Sequence, residues 1–114
     1  MLDPTVECTN ECPVAEADSV LDGKWTTLIF RELLGGTRRY SHLQRAIVGI
    51  SPRMLAMRLN DLEARGMVTK TIYPTVPPKT EYALTVLGRS VEPVIVAMAG
   101  FGVRLQQRAI NPAS

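Results

Sequence analysis

Side chains that can read the edges of DNA bases lie along one short segment in the middle of the chain. Arg53 can donate to guanine O6 and N7, and Asn60 suits adenine if it reaches deep enough into the groove. Ala56 and Met57 lie between them and could touch a thymine methyl group. These four residue types predict contacts with base edges, and the alternative is that they are ordinary solvated side chains.

The segment that carries these side chains has an apolar stripe on its opposite face. Leu55, Leu59 and Leu62 follow the spacing of a helix. At about 100° per residue, turning this stripe toward a core points Arg53, Met57, Asn60 and Ala64 outward, with Ala56 at the edge. Ser51 is expected to cap this helix, and its N-terminal half is where a recognition helix reaches the bases.

Cys8, Cys12 and His42 are the remaining residues whose chemistry suggests a metal or a reactive site. Three such residues cannot supply a four-ligand zinc site within one subunit. Nothing in their spacing requires a Cys–His catalytic pair. We therefore expect no metal, no cofactor and no enzymatic activity, and His42 is more simply an exposed or phosphate-facing residue at a helix start.

Cys12 directly precedes a predicted helix that begins at Pro13. Its sulfur would lie near free backbone N–H groups and the positive end of the helix dipole, which would lower its pKa. The acidic neighbours Glu7, Glu11 and Glu16 would raise the pKa instead. A thiolate here would react with oxidants or electrophiles, whereas the alternative is a small buried cysteine at the base of the helix. The sequence leaves both possibilities open.

Charge is distributed unevenly although the net charge is only +2. Residues 1–22 carry six acidic side chains and no basic one, whereas residues 23–80 carry ten Lys or Arg against three acidic residues. This basic segment suggests a polyanionic partner, although Lys and Arg could merely solvate helix surfaces. Arg58 could instead pair with Asp61 or Asp22. The residues expected to contact the DNA backbone or an adjacent groove are Arg38, Arg39, Ser41, Ser51, Arg58, Lys70 and Lys79.

Three further helices are predicted ahead of the one that carries the base-reading residues. The first runs over about residues 13–21 and the second over about residues 24–34, each with a buried stripe. Ser41 opens the third, and Gln44 three residues on completes the spacing of a capping box. A tight turn that contains glycine joins the third helix to the fourth, which is the pattern of a helix-turn-helix.

The pattern changes to strands after the fourth helix. Residues 68–73 and 79–84 have strand composition, and the prolines between them predict a stiff, exposed hairpin tip. Thr85 is expected to cap a last helix that runs to about Arg108, with an irregularity near Pro93. The predicted fold class is therefore mainly α with a small β-hairpin wing, a winged helix-turn-helix.

Several runs of residues follow a known order and spacing: Cys12-Pro13-Val14, Gly23-Lys24-Trp25-Thr26, Arg31-Glu32-Leu33, Arg39-Tyr40-Ser41-His42-Leu43, Ile50 to Leu55, Arg58 to Gly66, Tyr73 to Pro78 and Glu81 to Gly88. Together they resemble the HxlR-type helix-turn-helix regulators, which are related to the MarR group. The resemblance covers residues 12–102 and implies a bacterial or archaeal regulator that binds pseudo-palindromic operators as a dimer. It also implies that the cysteine matching Cys12 senses electrophiles or oxidants in several members, whereas Cys8 is not part of the pattern.

The last helix carries more apolar surface than a single chain of this length can bury. A two-fold dimer would bury the surplus and set two recognition helices about 34 Å apart, one turn of DNA. We expect residues 1–11 to form a flexible segment and residues 12–110 to form the DNA-binding domain, and the resemblance implies that its first and last helices build the dimer interface. The predicted interface residues are Val14, Val91, Val94, Ile95, Met98, Phe101 and Leu105.

The predicted function is sequence-specific transcriptional regulation by a homodimer. The predicted partners are double-stranded DNA, a second copy of the chain and a small oxidant or electrophile that reacts at Cys12. The alternative is a winged-helix module that binds proteins without contacting DNA, against which the basic segment and Arg53 count. No secretory signal is recognised, and the apolar run 94–102 is short for a bilayer. We therefore expect a cytoplasmic protein with no membrane partner.

Overall fold

The computed structural model describes residues 12–110, which form six helices and one three-stranded antiparallel sheet. The predicted flexible segment 1–11, with Cys8, lies outside the described residues. The elements are α1 (Pro13–Leu21), α2 (Lys24–Leu34), β1 (Arg38–Arg39), α3 (Tyr40–Ala46), α4 (Pro52–Ala64), β2 (Val68–Tyr73), β3 (Lys79–Leu84), α5 (Val86–Arg89) and α6 (Glu92–Ile110).

The core is built on the apolar stripe of α2. Ile29, Phe30 and Leu33 of this helix are fully buried, and Leu43 of α3 packs with them. The same core takes the predicted stripe of α4, formed by Leu55, Leu59 and Leu62. Because a fully buried leucine contributes about 1.5–3 kcal/mol relative to an exposed one, these contacts determine which face of α4 is turned outward.

The start of α3 differs from the prediction. The helix begins at Tyr40 with Arg39 at its N-cap, so the predicted capping box of Ser41 and Gln44 is wrong. The reason is strand pairing: Arg38 and Arg39 pair with Tyr82 and Glu81 of β3, and this pairing fixes the backbone just before the helix. Gln44 instead donates a hydrogen bond to the carbonyl oxygen of Ile50 at 2.9 Å.

The wing has the predicted strands, and a third strand joins them. The sheet order is β1-β3-β2, with Val68 opposite Leu84 at one end of the hairpin and Tyr73 opposite Lys79 at the other. Strand β1 was not predicted, because two consecutive arginines show no alternation of apolar and polar residues. Its pairing attaches the wing to the start of the helix-turn-helix.

The predicted last helix is two helices in the structure. The Thr85 hydroxyl accepts a hydrogen bond from the Gly88 N–H at 3.0 Å and caps the short α5, which ends at Arg89. Helix α6 then begins at Glu92. The irregularity expected near Pro93 is therefore the break between α5 and α6, which lies just before Pro93. Proline lacks an N–H group and can occupy the first turn of a new helix.

Helix α6 leaves most of its apolar side chains exposed. The exposed ones are Val94, Val96, Met98, Phe101, Val103 and Leu105. An 18-residue window within residues 86–108 has a mean hydropathy of 1.4, which is enough by length and composition alone to cross a bilayer, and only 6% of that window is buried. The apolar segment is therefore longer than the run 94–102, and the shortness of that run does not exclude a membrane-spanning helix.

Candidate nucleic-acid interface

Helix α4 presents the predicted base-reading residues to solvent. Arg53, Met57 and Asn60 are exposed, and Met57 shows 54% of its surface although it is apolar. Ala56 is half-buried at the edge of this face. The predicted orientation of the helix, with its leucines inward, agrees with the structure, and the outward face is open to a partner.

Three hydrogen bonds hold the beginning of α4. The Ser51 hydroxyl accepts from the Met54 N–H at 3.1 Å, which confirms the predicted N-cap. The Tyr40 hydroxyl donates to the carbonyl oxygen of Pro52 at 2.9 Å, and the Gln44 amide donates to Ile50. The first of these last two contacts joins α3 to α4, and the second joins α3 to the turn before α4. Neither was predicted, because nothing in the local pattern indicates which carbonyl a side chain will reach.

The wing and the start of α3 share one cleft of about 380 Å³. Three of the predicted backbone-contacting residues line it, namely Arg39, Ser41 and Lys79. Arg39 and Lys79 are exposed, so two cations face solvent on either side of the cleft. Lys70 is also exposed but lies on β2, outside the cleft.

Arg38 is engaged inside the protein. It is half-buried, and its Nε donates to the carbonyl oxygen of Glu32 in the last turn of α2 at 3.4 Å. A guanidinium at the C-terminal end of a helix is favourably placed relative to the helix dipole. Of the two adjacent arginines, Arg39 is therefore the better placed to meet DNA.

Arg58 lies beside the base-reading face but points to another part of the molecule. Its Nη1 lies 3.4 Å from the backbone carbonyl oxygen of Asp22, which ends α1. Of the two predicted partners, Asp22 is therefore the one contacted, through its backbone. The Asp61 carboxylate instead pairs with Arg65 at 3.1 Å.

The side chain of His42 is 43% exposed in the first turn of α3, and its expected contact with phosphate stays a prediction. Its Nε2 lies 3.4 Å from one carboxylate oxygen of Glu32, and Arg31 approaches the other oxygen at the same distance. Residues 12–110 contain no group of three or more His, Cys, Asp or Glu side chains arranged to hold a metal ion. The acidic neighbour of His42 is thus Glu32 of the same chain.

Cys12 is buried, with 5% of its surface exposed, and its carbonyl oxygen accepts the Glu16 N–H in the first turn of α1. The location of Cys12 at the start of α1 agrees with the prediction from the sequence. The burial agrees with the alternative of a packed cysteine and limits the access of solutes to the sulfur in this conformation.

The predicted dimer-interface residues divide into two groups. Val14, at 68% exposure, and Phe101, at 64%, are open, as are Val94, Met98 and Leu105. Val91 and Ile95 are half-buried and pack against the core of their own chain. They offer a partner less surface than predicted.

Tyr82 connects the sheet to the core of the domain. Its side chain is buried, and burial raises its pKa, with a smaller contribution from the Glu63 carboxylate and a further one from Tyr40. The tyrosine is therefore held more firmly in its neutral form than it would be in water.

A helix-turn-helix followed by an antiparallel hairpin, with an outward-facing second helix, defines a winged helix-turn-helix domain. The chain belongs to the HxlR-like helix-turn-helix family, whose model matches residues 20–109. It is 41% identical over 100 residues to the uncharacterized HTH-type transcriptional regulator sll1512 of Synechocystis, covering 88% of this chain and 74% of that one. The family's proteins are transcriptional regulators, which is a non-enzymatic class.

Two solved structures have the same fold. A MarR-family transcriptional regulator from Porphyromonas gingivalis W83 is 43% identical, with a TM-score of 0.82 over 85% of this chain and 95% of that one. The redox regulator HypR in its oxidized form is 39% identical, with a TM-score of 0.76 over 82% and 96%. The resemblance to HxlR-type regulators inferred from the sequence is thus confirmed.

Proposed function

We propose that this regulator binds a pseudo-palindromic operator as a homodimer and reads its sequence with the exposed face of α4. The observation that carries this proposal is the set of Arg53, Met57 and Asn60 on the solvent side of a helix whose start is held by three hydrogen bonds. Side chains on a rigid helix can be held at the geometry that hydrogen bonds to base edges require.

The surroundings of α4 supply the charge that DNA binding needs. Arg39 and Lys79 lie at the cleft between α3 and the wing, and Lys70 is exposed on β2. Contacts to phosphates fix the register of a protein on the duplex but carry no sequence information. We therefore assign Arg53 and Asn60 to base reading, and Arg39, Ser41, Lys70 and Lys79 to the backbone or an adjacent groove.

The test compares Arg53→Ala, Lys79→Ala and the control Arg89→Ala, whose exposed arginine lies on α5. The probe is the DNA upstream of the protein's own gene, with a random duplex of equal length. Arg53→Ala should weaken specific binding by about 1–3 kcal/mol and relax one position in each half-site. Lys79→Ala should weaken binding to both duplexes and lower the salt dependence.

Two results would count against this assignment. Unchanged operator affinity for Arg53→Ala would show that the reading face is placed wrongly. Absence of any mobility shift with the wild-type protein, at low salt and on both duplexes, would favour the alternative of a protein-interaction module.

The homodimer is supported by the exposed apolar surface of α6, together with Val14 of α1. Isolated monomers rarely expose so much contiguous apolar surface, and a two-fold dimer would bury it. The same pairing would bring two copies of α4 to one side of the assembly. A cytoplasmic location, where such a protein meets DNA, follows from this function and is part of the proposal.

Redox sensing through Cys12 is a second part of the proposal. It is supported by the 39% identity to HypR, a redox regulator, and by the position of Cys12 at the start of a helix. Oxidation of the thiol to a sulfenate, or to a disulfide with Cys8 or with the partner subunit, would change the packing at the start of α1. The spacing of the two recognition helices, and with it DNA affinity, would then change.

A further inference from the structure

Arg58 makes a contact that contributes nothing directly to reading DNA. It belongs to α4, next to Met57, yet its guanidinium reaches the corner between α1 and α2. There Nη1 lies 3.4 Å from the carbonyl oxygen of Asp22, a residue separated from it by 36 positions. This contact connects the DNA-facing helix to the end of α1.

Gly23 shapes the corner around this guanidinium. Its φ of +91° is a conformation that other residues rarely adopt. A Cβ atom at this position would lie 2.5 Å from Nη2 of Arg58 and 2.9 Å from Cζ. The backbone conformation therefore favours glycine here, and a larger residue would have to displace the flexible end of the Arg58 side chain.

The carbonyl oxygen of Asp22 serves two donors at once. Besides Arg58, it accepts a hydrogen bond from the hydroxyl of the buried Thr26 at 3.0 Å, in the first turn of α2. One oxygen atom thus connects the end of α1, the beginning of α2 and the middle of α4.

This arrangement is not the most stabilising one. Among the residues that the structure describes, the Nε of Arg58 is buried and has no hydrogen-bond acceptor. A buried polar atom without a partner lowers stability. Arg58 as a whole is only half-buried, and its contact with Asp22 is exposed to solvent, so this bond offsets little of that loss. A role in orientation accounts for the arginine better than a role in stability does.

We propose that Arg58 is a positioning residue, which holds α4 at the α1–α2 corner so that Met57 and Asn60 face the DNA at the correct angle. The inference rests on the proposed DNA binding and adds a residue that acts without touching DNA. If α1 were displaced, this contact at the α1–α2 corner would transmit the displacement to the recognition helix α4.

The test uses Arg58→Met, which removes the donors and keeps most of the volume, and Gly23→Ala, which disturbs the same contact without altering α4 or any charge. Gly36→Ala is the matched control, because Gly36 also has a positive φ, of +132°, but a Cβ there would meet nothing within 4 Å. Affinities are measured for the operator and for a random duplex over a range of salt concentrations, with thermal unfolding monitored for each variant.

We expect Arg58→Met and Gly23→Ala each to lower operator affinity by about tenfold, which is what one misaligned base contact costs. Affinity for random DNA and the salt dependence should stay unchanged, and Gly36→Ala should bind the operator like the wild type. In the double variant the added Cβ no longer meets a guanidinium. Gly23→Ala should therefore lower operator affinity less in the Arg58→Met protein than in the wild type.

A direct phosphate contact by Arg58 would give a different pattern and would overturn the proposal. Arg58→Met would then weaken both duplexes in parallel and lower the salt slope by about 0.9, whereas Gly23→Ala would have no effect. If Gly23→Ala does not fold, Arg58→Lys distinguishes the two roles of Arg58. The lysine keeps the positive charge and would preserve a contact with phosphate. Its single ammonium and shorter reach would not restore the contact with Asp22 at the α1–α2 corner. Failure of the wild-type protein to bind either duplex would instead contradict the proposed function itself.

Discussion

The hydroxyl of Tyr40 donates a hydrogen bond to the carbonyl oxygen of Pro52 at 2.9 Å. Tyr40 is the first residue of α3 and Pro52 is the first of α4, so the contact joins the beginnings of the two helices. Its position one residue before Arg53 makes it part of the support for the base-reading face.

Tyr40→Phe removes the donor and keeps the ring. Because a typical hydrogen bond contributes about 0.5–1.5 kcal/mol, we expect the free energy of unfolding in urea to fall by that amount. Operator affinity should fall as well, since the first turn of α4 loses one of its three restraints. Tyr73→Phe, at an exposed tyrosine on β2 whose hydroxyl donates to the Glu81 carboxylate at 3.5 Å in solvent, is the stability control and should change unfolding less than Tyr40→Phe. Equal unfolding free energies for wild type and Tyr40→Phe would show that the bond stabilises nothing.

Local signals in the sequence were enough to place most of the elements. The bounds of α1, α2 and the wing strands agree with the prediction, because proline, glycine and the period of the apolar residues act within a few positions of each other. The Ser51 cap is equally local. The outward orientation of α4 followed from its three leucines alone.

The contacts that support the site could not be predicted in the same way. Tyr40, Gln44 and Arg58 each bond to a backbone carbonyl in another part of the chain, and any carbonyl is chemically equivalent until the fold is known. Strand β1 exists because β3 pairs with it, and the capping box at Ser41 failed for the same reason. Tertiary pairing overrode local propensity at these positions.

Tyr82 makes stability depend on pH in alkaline solution. Its pKa is raised in the folded state by burial above the usual value of 10.0, which applies to the unfolded chain. The neutral tyrosine therefore stabilises the fold fully below pH 10.0, and this contribution is lost as the pH rises from there through the folded-state pKa. We expect the unfolding free energy in urea to fall more steeply above pH 10.0 for the wild type than for Tyr82→Phe.

Tyr73→Phe again serves as the control for this titration, since it removes a tyrosine that is 41% exposed, whereas Tyr82 is buried. It should retain the steep alkaline loss seen in the wild type. Identical alkaline profiles for wild type and Tyr82→Phe would contradict the assignment to Tyr82.

Phe101 tests the proposed dimer. Its side chain is 64% exposed in the middle of the apolar surface of α6. Phe101→Glu would place two carboxylates in an apolar interface, where unpaired charges are strongly disfavoured. We expect sedimentation to show a dimer for the wild type and a monomer for Phe101→Glu at micromolar concentration. Val48→Glu, at an exposed valine in the turn before α4, should remain dimeric. A monomeric wild type would count heavily against the dimer.

Cys12→Ser tests the thiol. Wild type and variant are treated with diamide, which takes up two electrons and two protons as two thiols form a disulfide, and operator binding is then measured. Because Cys12 is buried, the reaction requires α1 to open or the sulfur to become accessible, so the response should develop slowly compared with that of an exposed thiol. A response that is absent in Cys12→Ser, and that dithiothreitol reverses in the wild type, is the expected result.

Cys8→Ser separates the possible disulfide partners in the same experiment. If Cys12 pairs with Cys8, the Cys8→Ser protein loses the diamide response, and non-reducing electrophoresis shows no linked dimer for the wild type. If Cys12 pairs across subunits with its counterpart, Cys8→Ser keeps the response and migrates as a linked dimer after treatment. Equal responses of wild type and Cys12→Ser would eliminate Cys12 as the sensor, and its role would then be the packing of α1, in agreement with its burial.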